Sequence, residues 1–140
     1  MGIERILITG GSGFLGTNLL FKLKNQKVRL FSTYYKNRKF TKVKKVKYTR
    51  VNLENKKNCL KVCKNIDTVV MCAANSSGAA IMQKKPLVHL NPNVFMNLNM
   101  LEAAYQSGVK KFIFISSNTV YPEVNHPVKE EEASFNFFKK

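Results

Sequence analysis

Short apolar runs alternate with amphipathic segments along this chain of 140 residues. Runs that are apolar on both faces predict buried strands, and apolar positions at helical spacing predict helices that pack on them. The predicted strands cover residues 5–9, 27–34, 46–53, 67–74 and 110–117. The predicted helices cover residues 14–25, 55–65 and 91–108. Residues 76–86, rich in small side chains, are predicted to form a loop.

This order of elements predicts the α/β class, with a doubly wound Rossmann sheet, mostly parallel and with helices on both faces. The pattern ends after the fifth strand, so we expect the sheet to be truncated there. Pro92 is expected in the first turn of its helix, and Gly108 at the end of that helix. Ligands of such sheets bind beyond the carboxyl ends of the strands.

Three glycines, Gly10, Gly13 and Gly16, follow the first predicted strand at a spacing of three. The first permits a tight turn with positive φ, the second lets a phosphate approach the backbone, and the third lets the next helix pack closely. The first amides of that helix then face an anion, aided by the helix dipole. We therefore expect residues 1–124 to form a dinucleotide-binding domain, followed by a tail over residues 125–140.

The composition excludes several classes of protein. The hydrophobic share is 44% and the mean hydropathy is -0.22, which is typical of a globular chain and not of a disordered one. No apolar run reaches the roughly 18–20 residues that span a bilayer, and the N-terminus has no signal-peptide layout. We therefore expect a cytoplasmic protein without a membrane partner.

The three cysteines are an odd number without the spacing of a disulfide framework, so we expect reduced thiols. Cys59 and Cys63 lie four apart, on one face of a predicted helix. Because no histidine or further cysteine pair accompanies them, we expect buried structural thiols and no metal site.

The formal net charge of +16 is concentrated in part of the chain. No acidic residue lies between Arg5 and Leu53, and residues 36–50 are heavily basic. Such a segment suits phosphate, nucleic acid or an anionic membrane surface, and a general lysine bias on solvated faces is the alternative. No nucleic-acid-binding motif accompanies it, which disfavours a specific nucleic-acid partner. An anion-binding role for this segment stays open.

Four motifs in order carry a family resemblance: TGGSGFLG (9–16), CAA (72–74), NVFMNLNMLEAA (93–104) and FISSNTVYP (114–122). They resemble the extended short-chain dehydrogenase/reductases, the superfamily of NAD(P)-dependent sugar-nucleotide epimerases, dehydratases and reductases. The resemblance implies the cofactor-binding part of an enzyme that acts on a nucleoside-diphosphate sugar. Among the branches it is most similar to GDP-fucose synthase. Thr119 stands where that branch has a cysteine used in epimerisation, so the match does not imply the epimerase step.

The end of the second predicted strand decides between NAD and NADP. An acid there binds the ribose 2′-hydroxyl, whereas basic or hydroxyl groups accept a 2′-phosphate. The segment offers Ser32, Thr33, Lys36 and Arg38, and no carboxylate. We therefore predict that NADP(H) is the preferred cofactor. The alternative is NAD(H), with Lys36 and Arg38 as solvated loop residues.

The resemblance also implies which other residues contact the cofactor. Asn52 and Leu53 stand where the family often has Asp-Leu beside the adenine, and the amide oxygen of Asn52 is a weaker acceptor than a carboxylate. The remaining expected cofactor-binding residues are Thr9, Gly10, Gly13, Phe14, Leu15, Gly16, Cys72, Ala73 and Ala74.

Two residues are expected to contribute to catalysis. By the resemblance, the Ser117 hydroxyl bonds the substrate carbonyl or alcohol, and Asn99 shapes a water or substrate contact. The alternatives are that Ser117 caps a strand end and that Asn99 satisfies a helix kink.

The family's Tyr-x-x-x-Lys motif, whose lysine lowers the pKa of the tyrosine, is expected well after Ser117. It does not follow Ser117 in this sequence, since Tyr121 has Asn125 at the fourth position after it. We therefore expect these residues to bind a dinucleotide and to be inactive alone, either as a piece of an enzyme or as a stand-alone binding module. Family members often form homodimers through the helices after the fourth and fifth strands, so a homodimer is implied as well.

Overall fold

The computed structural model describes residues 2–76, 79–85, 87–117, 120–122 and 124–133. Within these ranges the strands are β1 (Arg5–Ile8), β2 (Arg29–Tyr34), β3 (Val46–Arg50), β4 (Thr68–Met71) and β5 (Lys111–Phe114). The helices are α1 (Phe14–Leu23), α2 (Lys56–Cys63), α3 (Ala79–Lys84), α4 (Leu87–Gln106) and a short 3-10 helix (Glu130–Glu132). Every described helix falls short of the length and apolarity that crossing a bilayer takes.

The strands form one parallel sheet in the order β3-β2-β1-β4-β5. The chain starts at β1, runs outward through β2 to β3, and then crosses back to β4 on the other side of β1. This reversal between β1 and β4 is the switch point at which doubly wound sheets bind ligands. The predicted fold class is confirmed.

The hydrophobic core lies in two clusters, one on each face of the sheet. Because successive side chains of a strand point to opposite faces, Leu7 of β1 joins one cluster, and Ile6 and Ile8 join the other. Leu20 of α1 packs with Ile6 and Ile8, whereas Met100 of α4 packs with Leu7. Helices therefore cover both faces, as the apolar character of the strands predicts.

Cys59 and Cys63 of α2 are both fully buried free thiols. The Cys59 thiol donates to the Leu53 carbonyl at 3.1 Å. Burial raises the pKa of Cys59 to about 11. Burial, and then the neighbouring Cys59, raise the pKa of Cys63 to about 12. The prediction of buried structural thiols is confirmed, and both thiols stay protonated at neutral pH.

Two sequence predictions differ from the structure. Part of the predicted loop is the helix α3, and its alanines explain why, since alanine has the highest helix propensity. The next helix begins at Leu87, so Pro92 lies inside α4 and not in its first turn. Gly108 follows the end of α4 with a φ of +70°, as its predicted role as a helix stop requires.

Candidate functional site

A cavity of about 560 Å³ opens at the carboxyl ends of the strands, beside the switch point. Its volume lies within the range of about 300–1,000 Å³ of small-molecule sites. The predicted site residues that line it are Gly10, Gly13, Thr33, Lys36, Asn52, Leu53, Cys72, Ala73 and Ala74. It is also lined by residues that are not among the predicted site residues: Ser12, Tyr34, Tyr35, Asn37, Val51, Glu54, Asn75, Ser76, Pro92 and Met96.

The glycine-rich turn is built on backbone contacts that leave no room for side chains. Gly10 has a φ of +67°, and a Cβ there would lie 2.8 Å from the Ala73 Cα. A Cβ on Gly16 would lie 2.4 Å from the Gly10 carbonyl oxygen. At Gly13, which lines the cavity, the nearest atom would be that same oxygen at 3.2 Å. Gly10 and Gly16 therefore allow the turn and the close packing, while Gly13 keeps the cavity side of the turn open.

Thr9 is fully buried and holds the opposite wall of the cavity. Its Oγ1 accepts hydrogen bonds from the Cys72 and Ala73 amides, both at 3.0 Å, and donates to the Met71 sulfur at 3.2 Å. Thr9 is predicted to contact the cofactor, but it does not line the cavity. Instead it positions the two residues that do.

The hydroxyls at the end of β2 point in two directions. Ser32 donates to the Ile8 carbonyl at 2.7 Å and is buried beneath Gly11, away from the cavity. Thr33 lines the cavity, and its Oγ1 accepts the Gly10 amide at 3.3 Å. Lys36 also lines the cavity, whereas Arg38 is exposed and does not line it. Of the basic groups predicted for a 2′-phosphate, the structure thus brings Lys36 to the site.

The loop after β3 forms a further wall. The Asn52 Oδ1 accepts the Glu54 amide at 3.0 Å, so the oxygen predicted to meet an adenine amino group already has one partner. Glu54 itself lines the cavity, which the sequence analysis misses. Its position directly after Asn52 and Leu53 is the signal that could have found it.

The two predicted catalytic residues are not among those that line the cavity. The Asn99 side chain donates to the Glu54 carbonyl at 2.9 Å and to the Leu53 carbonyl at 3.4 Å. It thereby ties α4 to the loop after β3. Ser117 is exposed beyond the end of β5. A substrate contact for either residue stays a prediction.

Three other predicted residues also lie outside the cavity lining. They are Phe14, Leu15 and Gly16, all in the first turn of α1. Phe14 is 83% exposed and Leu15 is 52% exposed. Thr119, at the position of the epimerisation cysteine, lies outside the described residues.

The Tyr-x-x-x-Lys spacing itself occurs at Tyr35 and Lys39, far ahead of Ser117 in the chain. Tyr35 lines the cavity, but both residues lie in the irregular segment after β2. Side chains four apart lie one turn apart on the same face of a helix, and this segment is not helical, so the spacing does not pair them as the family motif does.

Asn75 is a cavity residue whose role the sequence analysis also misses. Its backbone N–H donates to the Asn93 Oδ1 of α4 at 2.8 Å, and its backbone carbonyl accepts the Asn93 Nδ2 at 2.9 Å. Its side chain bonds the Val88 carbonyl at 3.0 Å. Pro92 in the sequence is the signal for this arrangement, because a proline within a helix leaves a carbonyl unpaired.

A parallel sheet in this strand order, with a glycine-rich turn and a cavity at its switch point, defines a nucleotide-binding Rossmann domain. The model of the NAD dependent epimerase/dehydratase family matches residues 6–139. The chain belongs to this family, and the resemblance described from its motifs is confirmed.

GDP-mannose 3,5-epimerase 1 of Oryza sativa subsp. indica is 35% identical over 136 residues, which cover 92% of this chain and 36% of that protein. GDP-L-fucose synthase of Sinorhizobium fredii (strain NBRC 101917 / NGR234) is 24% identical and is covered to 38%. The solved structure of MoeE5 in complex with UDP-glucose and NAD superposes with a TM-score of 0.78 at 26% identity, over 91% of this chain and 41% of that one. The chain thus spans well under half the length of these relatives.

Proposed function

We propose that this chain binds a dinucleotide in the cavity at the switch point, as the cofactor-binding part of an enzyme that acts on a nucleoside-diphosphate sugar. The observation that carries the proposal is the cavity itself, in which the glycine-rich turn and the ends of β2, β3 and β4 converge. The NAD and UDP-glucose in the MoeE5 complex support the same classes of ligand here.

The residues present fit such a cofactor. Gly13 leaves the turn open beside the first amides of α1, where a diphosphate would receive backbone hydrogen bonds. Thr33 and Lys36 would border the adenosine ribose, and Asn52 and Leu53 the adenine. A bound nicotinamide dinucleotide supplies the hydride chemistry of this family. The proposed role of this chain is to bind and orient the cofactor.

NADP(H) is the preferred form in this proposal. The cavity residues between Thr33 and Asn37 include no carboxylate, which an NAD ribose would use, and they include the Lys36 ammonium, which a 2′-phosphate would use. Glu54, the one acid among the described residues that line the cavity, comes from the loop after β3 and not from the end of β2.

Calorimetric titration of the chain with NADPH and NADH tests both parts of the proposal. We expect NADPH to bind about tenfold more tightly, which is the effect of one charge-assisted contact. Lys36→Ala should narrow this ratio because it removes that contact. Arg38→Ala is the matched control, and it should preserve the ratio because Arg38 does not line the cavity.

The two possible negative outcomes of the titration contradict different parts of the proposal. Equal affinities for the two dinucleotides would overturn the NADP preference and leave the dinucleotide site standing. Failure of both to bind a folded chain would overturn the proposed function.

We also propose that residues 1–140 by themselves bind the dinucleotide without transferring hydride, since no Tyr-x-x-x-Lys motif follows Ser117 among them. The proton-transferring group of the enzyme would then come from outside this part.

A homodimer through α4 completes the proposal. Six of the apolar or aromatic side chains of α4 that are about half exposed or more recur at helical spacing: Leu87, Leu90, Val94, Leu98, Leu101 and Tyr105. Such a stripe on a helix is typical of a face that packs against another helix.

A further inference from the structure

Pro92 leaves one carbonyl of α4 without its helical partner. It is the sixth residue of the helix, and it has no N–H to give to the carbonyl of Val88, four residues earlier. That carbonyl accepts the Asn75 Nδ2 at 3.0 Å. A side chain from the loop after β4 therefore supplies the donor that the helix lacks.

The backbone of Asn75 is bound to the same stretch of α4. Its amide donates to the Asn93 Oδ1 at 2.8 Å, and its carbonyl accepts the Asn93 Nδ2 at 2.9 Å. The His89 Nδ1 lies 3.2 Å from that carbonyl. Because a carbonyl oxygen only accepts, this ring nitrogen carries the proton. The backbone N–H, the backbone carbonyl and the side-chain nitrogen of Asn75 are thus all directed at α4.

Asn75 directly follows Cys72, Ala73 and Ala74, which form the cavity wall after β4. Thr9 holds the other end of this wall through the Cys72 and Ala73 amides. The wall passes so close to the turn that a Cβ on Gly10 would lie 2.8 Å from the Ala73 Cα. A small displacement of the wall therefore changes the space beside the glycine-rich turn.

We propose that Asn75 is a positioning residue for the dinucleotide, acting through the Val88 carbonyl that Pro92 leaves open. Its side chain fixes the wall over residues 72–74 against α4, and so sets the width of the cavity. This inference rests on the proposed function, because the ligand whose affinity it controls is the dinucleotide. It also gives Pro92 a role, since the proline is what makes the Val88 carbonyl available.

The test is a double-mutant cycle of Asn75→Ala and Pro92→Ala, with the affinity for NADPH and NADH measured by calorimetry where each variant is folded. We expect Asn75→Ala to weaken binding about tenfold, which is the upper end of what one hydrogen bond contributes. In the Pro92→Ala background the helix supplies its own donor to Val88. In this background, Asn75→Ala should weaken dinucleotide binding clearly less, by about threefold or below.

A second variant and a control complete the cycle. Asn75→Asp keeps the size of the side chain but cannot donate to the Val88 carbonyl, so it should weaken binding at least as much as Asn75→Ala. Gln106→Ala removes an amide from the far end of α4, where it donates to Glu102 at 2.9 Å, and it should leave affinity unchanged. The urea midpoint of each variant is measured in parallel. A merely structural Asn75 would lower that midpoint and leave the affinity of the folded chain intact.

Wild-type affinity in Asn75→Ala, or the same loss in both backgrounds, would overturn the inference. If the wild-type chain binds neither dinucleotide, the proposed function fails, and hydrogen exchange then tests the positioning by itself. Exchange of the Cys72 and Ala73 amides should accelerate in Asn75→Ala and recover in the double variant. Unchanged exchange of these two amides in Asn75→Ala would refute the positioning role of Asn75.

Discussion

Gly16 lies where α1 passes over the glycine-rich turn, and the backbone of that turn occupies the space a side chain would need. The three atoms nearest to a Cβ at Gly16 are all backbone atoms of Gly10 and Gly11. Backbone cannot rotate away as a long side chain does, so the clash persists until the helix moves. Gly108 is glycine for a different reason, since its φ is +70° and no atom lies within 4 Å of a Cβ there.

We expect Gly16→Ala to lower the free energy of unfolding by about 2–3 kcal/mol, because it overpacks a contact made of backbone. Gly108→Ala should lower it by only about 1 kcal/mol, which is the cost of a left-handed conformation in open space. Urea denaturation followed by circular dichroism measures both. Equal losses would contradict the packing role of Gly16.

At the level of elements, Asp67 joins three strands at their amino ends. Its carboxylate accepts the Arg5 amide of β1 at 3.0 Å and the Lys110 ammonium, just before β5, at 2.9 Å. These two hydrogen bonds, Lys110 first, lower the pKa of Asp67. The same carboxylate raises the pKa of Lys110. One carboxylate thus links the starts of β1, β4 and β5.

A lowered pKa means that the folded state binds the proton of Asp67 less readily than the unfolded chain. Its contribution is therefore complete above the ordinary carboxyl pKa of about 4 and is lost as the pH falls through the lower folded value. We expect Asp67→Asn to weaken the dependence of the urea midpoint on pH below about 5. Lys110→Met should shift the Asp67 pKa, followed by NMR, back toward its usual value. A wild-type pH profile in Asp67→Asn would refute this role.

At the level of the whole molecule, the solvent-facing stripe of α4 is the surface that a second copy would cover. Leu98 is 59% exposed and Leu101 is 55% exposed, although both lie at the middle of the protein's longest helix among the described residues. Isolated exposed apolar residues are ordinary, but a contiguous row along a helix favours association.

We expect the chain to sediment as a dimer, and the double substitution Leu98→Glu with Leu101→Glu to shift it to the monomer, because two carboxylates would be buried in the interface. Analytical ultracentrifugation over a range of concentrations measures this. Phe21→Glu, on α1 at the other face of the sheet, is the control, since Phe21 is also exposed, at 41%. A monomeric wild type would contradict the proposed dimer.

The sequence by itself determines the parallel sheet, the helices on both its faces and the glycine-rich turn after β1. These features follow from patterns within short windows, such as apolar periodicity and a glycine at the position of positive φ. The same local information explains the misplaced start of α4, because Pro92 is also acceptable in a first turn. The family, too, was predicted from four local motifs, and the match over residues 6–139 confirms it.

Only the tertiary structure decides what the individual polar side chains do. Thr9 bonds residues more than 60 positions away, Asn99 bonds a loop 45 positions away, and Asn75 reaches across to α4. Ser32 and Thr33 are neighbours of the same chemical type, yet the former bonds β1 away from the cavity and the latter lines it. The physical reason is that such hydrogen bonds depend on which elements pack together in space, and no pattern within a short window of sequence specifies that partner.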